Sequence, residues 1–321
     1  MSQDRGHYTP QQLHAVYDRI NLPPRFRYEP GDFSREVVRH HDGHGFLGAL
    51  VTHMLAHIPF ENLSLHYSPT HAVSIHPDAL FQKFIRQDMG EVDIAWRTIM
   101  SVGARINRMG KGFIGNEAGK VQYGGWSHIV NLVTIRGDVF VVDVGFGPGG
   151  PARPMALIDG AIEFNMPPSQ REVIRLRRDA IDDNDHKSVK LWIFERRNDN
   201  DAPWTPMYCF EDNVCFLPQD FEVMNYFTST HRTSVYTYRV LCSKFILADK
   251  DDTSCTGEII LYENKVTRVL AGKTEVLAIL KTEQERVDAL YNYLGVRLSL
   301  AQVAGIRGMT SELRPGPQGL V

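Results

Sequence analysis

The first hundred residues carry apolar side chains at the period of an α-helix. In three stretches these side chains recur every three or four residues, which places them on one helical face. A threonine followed by proline favours a helix start near residue 9, and a later isoleucine-proline pair favours a helix end near residue 58. The pattern predicts helices over residues 10–20, 47–58 and 79–86.

Beyond residue 100 the apolar pattern changes to that of β-strands. Short runs of β-branched and aromatic residues, separated by glycine and polar residues, predict strands over residues 101–107, 173–177, 190–196, 235–241 and 258–262. A closing helix is predicted after Thr282, because Thr282 and Glu285 form a capping box ahead of apolar positions at helical spacing. Gly295 is well placed to end that helix.

Two further strand runs, residues 127–135 and 138–147, flank Arg136-Gly137 and predict a β-hairpin. With the turn centred on that dipeptide, residue i faces residue 273−i. His128 and Asp143 are then diagonal neighbours on one face, about 7–8 Å apart at Cα and within side-chain reach. Both faces of the hairpin are otherwise mostly apolar, so the hairpin brings an imidazole beside a carboxylate in apolar surroundings.

A histidine beside a carboxylate has two interpretations of similar weight. The pair is either a core histidine satisfied by its neighbour or the base and the orienting group of a nucleophilic triad. The neighbouring sequence favours the second interpretation.

Composition bounds the class of protein. The 321 residues suffice for two or three domains, and 43% hydrophobic with 23% charged residues describes an ordinary globular protein. A net charge of −3 gives no reason to expect nucleic acid or an anionic membrane as partner. The four cysteines show no CxxC spacing, and the first residues form no apolar leader, so a reduced cytoplasmic protein is expected. The oligomeric state is not indicated.

Three other motifs indicate structural roles more than binding or catalytic roles. Gly110, Gly112 and Gly115 satisfy GxGxxG, but the following residues do not open a helix, so a loop is predicted instead of a dinucleotide site. His53 and His57 are four residues apart without the intervening Glu of a zincin helix, so we expect histidines on a solvated helix face and no metal site. The glycine-rich stretch 145–151 predicts a turn whose amides can face an anion.

Several segments together resemble the arylamine N-acetyltransferase family, in its fungal branch. The motifs PFENL at 59–63, GWSH at 125–128 and VDVGFG at 142–147 stand in the family's order and roughly its spacing. Residues 101–107, 220–225 and 228–230 add to the resemblance, which covers residues 58–300.

The resemblance implies an α+β fold with an N-terminal helical bundle, a central β-barrel and a C-terminal α/β lid. We place these at residues 1–100, 101–200 and 201–321. It also implies a Cys-His-Asp triad, in which His128 and Asp143 match the histidine and aspartate, and acyl transfer from acetyl-CoA or another acyl-CoA to an aromatic amine. No tightly bound cofactor is implied. By resemblance the CoA cleft is lined by Gly147, Gly149, Thr230 and Ser234.

The family's cysteine has no match in this sequence. Counted forward from Phe81 without gaps, the nucleophile position falls on Asp93, with Glu91 nearby, and the register counted backward from Gly103 shortens the helix. Neither register supplies a plausible Cys, Ser or Thr nucleophile. An acyl group on a carboxylate would form a mixed anhydride that hydrolyses readily, so Asp93 is a poor substitute for a thiolate.

Four explanations stay open. His128, oriented by Asp143, acts as general base for direct attack of an amine or hydroxyl on an acyl-CoA. Alternatively, the chain is a repurposed acid–base enzyme of fungal secondary metabolism that uses His128 with Asp93 or Glu91. The third explanation is a catalytically silent homologue that binds a ligand or a related subunit. A wrongly joined gene model is the fourth explanation, which a transcript sequence tests.

Overall fold

The computed structural model describes most of the chain as two antiparallel sheets with six α-helices. The described residues are 9–28, 43–73, 101–107, 121–135, 137–166, 171–199, 201–214, 216–248 and 251–314. Among the helices of these ranges, none combines the length and the apolar character that crossing a membrane requires.

Two helices of ten or more residues lie in the described part of the N-terminal region. Helix α1 spans Pro10–Arg19 and starts as predicted, since the Thr9 side chain accepts a hydrogen bond from the Gln12 amide in a capping box. Helix α2 spans Gly43–His57. The helical bundle is thus confirmed in part, and the helix predicted over residues 79–86 lies outside the described residues.

Helix α2 is buried on more than one side, because apolar residues surround its axis. Leu47, Val51 and Leu55 pack on strand residues of both sheets, whereas Phe46 and Met54 pack toward α1. The helix therefore joins the N-terminal helices to both sheets.

The larger sheet has eight strands in the order β5-β4-β3-β2-β9-β8-β7-β6. These are β2 (Ser101–Asn107), β3 (Tyr123–Ile135), β4 (Asp138–Val142), β5 (Met155–Ala156), β6 (Ile162–Phe164), β7 (Val173–Asp179), β8 (Leu191–Arg197) and β9 (Thr205–Phe210). Among the described residues the edge strands β5 and β6 do not pair with each other, so the sheet is open and the predicted closed β-barrel is wrong. The prediction missed β9, which inserts between β2 and β8.

The smaller sheet has the order β1-β10-β11-β12-β13. Its strands are β1 (Phe60–Glu61), β10 (Leu241–Ala248), β11 (Asp251–Tyr262), β12 (Lys265–Leu270) and β13 (Lys273–Ile279). Helices α3 (Ser64–Tyr67) and α5 (Glu283–Leu294) contribute to the cluster of buried side chains that packs on this sheet, and so does Ile306, the C-cap of helix α6 (Leu300–Gly305). The end of α5 is confirmed, because Gly295 is its C-cap with φ +75°.

The segment between the two sheets differs from its prediction. Helix α4 (Pro218–Thr230) was not predicted, and the strand expected over 235–241 is wrong: Val235–Thr237 is a turn of 3₁₀-helix and β10 begins only at Leu241. Local hydrogen bonds explain the turn, since the Thr237 hydroxyl donates to the Ser234 carbonyl and the Ser234 amide donates to the His231 carbonyl.

Candidate active site

The predicted hairpin is confirmed with its predicted register. Strands β3 and β4 pair from Asn131 with Val142 to Ile135 with Asp138, so every pair sums to 273. The two residues between the strands are 136 and 137, and Gly137 has φ +94°, a conformation that glycine adopts without steric cost.

This register brings His128 and Asp143 into contact. The Nε2 atom of His128 lies 2.8 Å from Oδ2 of Asp143, and the side chains are 9% and 0% exposed. The second carboxylate oxygen, Oδ1, accepts a hydrogen bond of 3.0 Å from the Gly145 amide. Both oxygens of the buried carboxylate therefore have a donor, as a buried charge requires.

The contact fixes which nitrogen of the imidazole can act as a base. An ionised carboxylate only accepts hydrogen bonds, so Nε2 carries the hydrogen and donates it in the bond to Asp143, and Nδ1 keeps the lone pair. The pair can therefore take a proton at Nδ1 while Asp143 stabilises the imidazolium that results.

Aromatic side chains enclose the imidazole. The rings of Phe146 and Tyr208 each lie 5.6 Å from the His128 ring, centroid to centroid, and 5.4 Å from each other. Phe146 follows Asp143 by three residues, whereas Tyr208 comes from β9, on the far side of β2. Water is therefore largely excluded around the pair, which strengthens its electrostatic interaction.

Two tyrosines that were not predicted from the sequence have a pKa that the charge of Asp143 raises. Burial first and the Asp143 carboxylate second raise the pKa of Tyr208 well above its ordinary value. The same two causes raise the pKa of Tyr236 to about 12. Tyr208 is fully buried. Only long-range strand pairing and the 3₁₀ turn bring these phenols to Asp143, so no local motif signals them.

The two predicted glycines of the CoA cleft lie in the turn directly after Asp143. Gly147 and Gly149 are buried and have φ of +79° and +76°. A side chain on Gly147 would overlap the Phe60 ring, and the same ring lies 6.3 Å from the Tyr236 ring. Phe60 therefore lies close both to the turn and to the 3₁₀ segment that carries Tyr236.

The other two predicted cleft residues lie near the end of α4, and both hydroxyls are used locally. The exposed Thr230 donates to the Tyr226 carbonyl within the helix, and the buried Ser234 donates to the Thr228 carbonyl. Ser234 is the N-cap of the 3₁₀ turn that carries Tyr236, one of the two tyrosines whose pKa is raised by the Asp143 charge.

Asp93 and Glu91 lie outside the described residues, as do the three glycines of the GxGxxG match. Of the four cysteines, the structure describes Cys209, Cys242 and Cys255, all buried. His128 and Phe210 both pair in register with Ala104, so they share a face of the sheet, and Cys209 points to the opposite face. Cys242 and Cys255 pack in two other clusters of apolar side chains.

Burial also keeps two of these thiols protonated. It raises the pKa of Cys242 well above its ordinary value, with the charge of Glu61 adding to the effect. It raises the pKa of Cys255 to about 12, together with Glu258. A thiol in this state is a poor nucleophile.

The paired histidines of α2 differ from their prediction. His53 is buried and only His57 is partly exposed, so the expectation of a solvated face is wrong for His53. The Nδ1 atoms of His53 and His57 contact the backbone carbonyls of Ile20 and His53, and the rings stack at 5.4 Å. Within the described ranges, no group of three or more His, Cys, Asp or Glu side chains could hold a metal.

A sequence model of the N-acetyltransferase family matches residues 45–303, the part of the chain that contains both sheets and the histidine–aspartate pair. The chain belongs to this family. It is therefore an acyltransferase, and the resemblance drawn from its motifs is confirmed.

Its relatives include fungal and mammalian proteins. An N-malonyltransferase FDB2 from Fusarium pseudograminearum is 30% identical over 93% of this chain and 92% of the relative, and one from Gibberella moniliformis is 29% identical over 92% and 91%. Arylamine N-acetyltransferase 2 from Mus musculus is 24% identical over 78% of this chain and 87% of the relative.

Solved structures share the fold. The arylamine N-acetyltransferase from Mycobacterium abscessus superposes with a TM-score of 0.68 at 16% identity, over 94% of this chain and 97% of that one. The enzyme from Mycobacterium marinum, solved in complex with CoA, superposes with a TM-score of 0.63 at 21% identity, over 92% and 94%.

Proposed function

We propose that this protein transfers an acyl group from a CoA thioester to the nitrogen of an aromatic amine, with His128 as general base. The observation that carries the proposal is the 2.8 Å contact between His128 and the fully buried Asp143, within a chain of this family. Relatives named N-malonyltransferases favour malonyl as the acyl group. The CoA complex of a structural neighbour favours a CoA thioester as the donor.

The proposed step is a direct displacement. The amine nitrogen attacks the thioester carbonyl carbon, and Nδ1 of His128 takes the proton that the nitrogen loses. The carbon–sulfur bond then breaks, and His128 returns the proton to the leaving thiolate. The products are the N-acylated amine and free CoA thiol, so atoms and charge balance. Asp143 holds Nε2–H and stabilises the imidazolium between the two transfers.

We prefer direct attack to a covalent acyl-enzyme because the described residues place no suitable thiol beside His128. Residues 74–100, which hold the family's nucleophile position, contain no cysteine. Cys209, Cys242 and Cys255 are buried away from the His128 face. Among the described residues around His128, the thioester exchange that the family uses therefore has no thiolate acceptor.

The cleft for the donor is proposed beside the glycine turn. Phe60 contacts both the turn at Gly147 and the ring of Tyr236, which supports a CoA site bounded by Gly147, Gly149 and the segment that contains Thr230 and Ser234. The division into regions at about residues 100 and 200 also stays a proposal, with β9 and its Tyr208 joining the central sheet from beyond residue 200.

The test is CoA release from malonyl-CoA and from acetyl-CoA, each with a simple arylamine such as 4-aminophenol. We expect turnover by the natural protein and a loss of about 10²–10⁴-fold in His128→Ala. His186→Ala is the matched control, since His186 is an exposed histidine far along the chain from the hairpin, and its activity should be unchanged. No release from either thioester, or full activity in His128→Ala, would contradict the proposal.

A second variant examines the missing nucleophile. If the ungapped register is right, Asp93→Cys places a thiol beside His128 and raises the rate with acetyl-CoA, with an acyl-enzyme detectable by intact mass. An unchanged rate and an unmodified mass would reject that register and leave the direct mechanism in place.

A further inference from the structure

The glycine turn after Asp143 is held from outside by a buried asparagine. Asn165, 3% exposed, lies one residue beyond β6. Its Oδ1 accepts a hydrogen bond of 2.7 Å from the Ala152 amide, and its Nδ2 donates one of 3.1 Å to the Gly150 carbonyl. The Asn165 side chain thus hydrogen-bonds both a backbone carbonyl and a backbone amide at the end of the turn.

A glutamate and an arginine extend this contact to the middle of the turn. Asn165 Nδ2 also donates to Glu172 Oε1 at 2.5 Å, and the other Glu172 oxygen lies 3.7 Å from Nη1 of Arg196. The Arg196 guanidinium lies directly against Gly149, where any side chain would overlap it. Asn165, Glu172 and Arg196, together called the turn brace, therefore run from one end of the turn to its centre.

The other end of the turn touches the catalytic carboxylate. The Gly145 amide donates to Asp143 Oδ1, and the turn is closed by a 3.0 Å hydrogen bond from the Gly150 amide to the Gly147 carbonyl. The backbone conformation of residues 145–150 therefore sets the direction in which the Gly145 amide donates to Asp143. The Asp143 carboxylate in turn sets the orientation of the His128 ring.

We propose that Asn165 is a positioning residue for acyl transfer, which holds the glycine turn so that Asp143 keeps its orientation and the donor thioester meets the turn in one shape. The inference rests on the proposed function and adds a residue that no local motif marks. Only an amide side chain suits the position, because it must accept from Ala152 while donating to Gly150 and Glu172. A carboxylate there would lose both donors and face the Glu172 charge.

The experiment compares Asn165→Asp and Asn165→Ala with Asn213→Ala, since Asn213 is exposed and its side chain donates to Glu211 and Asp212, its neighbours in sequence. Three quantities are measured: the melting temperature, kcat and KM for malonyl-CoA with 4-aminophenol, and the low-field NMR signal of the proton between His128 and Asp143. The signal is assigned by its absence in His128→Gln.

We expect kcat/KM to fall about 10- to 100-fold in both Asn165 variants at a temperature where they remain folded. The NMR signal should shift or broaden, and Asn213→Ala should match the natural protein in all three measurements. A melting temperature that falls while kcat/KM and the NMR signal stay unchanged would show a merely structural role and overturn the inference.

Two further measurements test the inference if the Asn165 variants do not fold or if the natural protein shows no turnover. If the Asn165 variants do not fold, Glu172→Gln removes the charge opposite Arg196 while keeping an acceptor for Asn165, and it should lower kcat/KM several-fold. If the natural protein shows no turnover, the proposed function fails by itself. The NMR signal of the Asn165 variants then tests by itself whether Asn165 positions Asp143, and an unchanged signal would reject that role.

Discussion

The substitution Asp143→Asn replaces one carboxylate oxygen of the candidate site by an NH₂ group. The natural carboxylate faces two hydrogen-bond donors, Nε2–H of His128 at 2.8 Å and the Gly145 amide at 3.0 Å. An asparagine has one oxygen and one NH₂ group, so it can accept from only one of these donors. If the amide oxygen stays with Gly145, its NH₂ group faces Nε2, and the imidazole must move its proton to Nδ1.

The expected loss follows from that tautomer. A histidine protonated on Nδ1 has no lone pair where the amine proton must go, and the imidazolium also loses its neighbouring negative charge. In serine proteases the corresponding change lowers kcat by about 10⁴-fold, and we expect a loss of about 10³–10⁴-fold here. The free energy of unfolding should change by less than about 1.5 kcal/mol, because the substitution keeps the side-chain volume and removes a buried charge.

The assay is CoA release under saturating malonyl-CoA, with Asp182→Asn as the matched control, since Asp182 is exposed and remote in sequence from the hairpin. Circular dichroism and a urea titration check that the variant is folded. A rate for Asp143→Asn within threefold of the natural protein would refute the assignment of Asp143 as the orienting group.

Other predictions concern the fold around the site. Gly147→Ala should lower the free energy of unfolding in urea by about 2–4 kcal/mol, because it combines a positive φ with overlap on the Phe60 ring, whereas Gly160→Ala, with similar φ and open space, should cost about 1 kcal/mol. In the native protein, no more than one of the four thiols should react rapidly with a maleimide, counted by mass spectrometry, since three are buried. Burial lowers the pKa of His66 to about 4. The unfolded chain therefore binds this proton first, and stability should fall by about 3 kcal/mol as pH drops from about 6.5 to 4. His66→Gln should flatten that pH dependence in urea titrations.

Each of these has a clear contrary result. Equal losses in Gly147→Ala and Gly160→Ala would contradict the close approach of the Phe60 ring to Gly147. Rapid labelling of two or more thiols without denaturant would deny their burial. A stability that is constant between pH 6.5 and 4, or one that rises as pH falls, would deny that His66 is buried in the neutral form.

Local chemistry made part of this structure predictable. The hairpin register, the contact of His128 with Asp143, the Thr9 and Thr282 caps and the Gly295 helix end all follow from turn residues, capping residues and strand alternation over short distances.

Long-range pairing explains most of what was missed. Strand β9 carries Tyr208 into the centre of the larger sheet, and nothing in its own sequence shows that it lies between β2 and β8. Whether the sheet closes depends on partners for β5 and β6, which the strand pattern does not specify. The error at 235–241 is different: β-branched and aromatic residues favoured a strand, but Ser234 and Thr237 hydrogen bonds stabilise a turn.

The role of Asn165 was equally hidden. It is an ordinary asparagine beside a strand, and its function depends on Glu172 and Gly150, which only the folded chain brings to it.

The central claim, acyl transfer by direct attack with His128 as base, is tested most directly by two-substrate kinetics. Initial rates are measured over a range of malonyl-CoA concentrations at several fixed concentrations of 4-aminophenol. The account predicts turnover with double-reciprocal lines that intersect, because both substrates must be bound together before the carbon–sulfur bond breaks. Parallel lines, which a covalent acyl-enzyme produces, or the absence of turnover would contradict it.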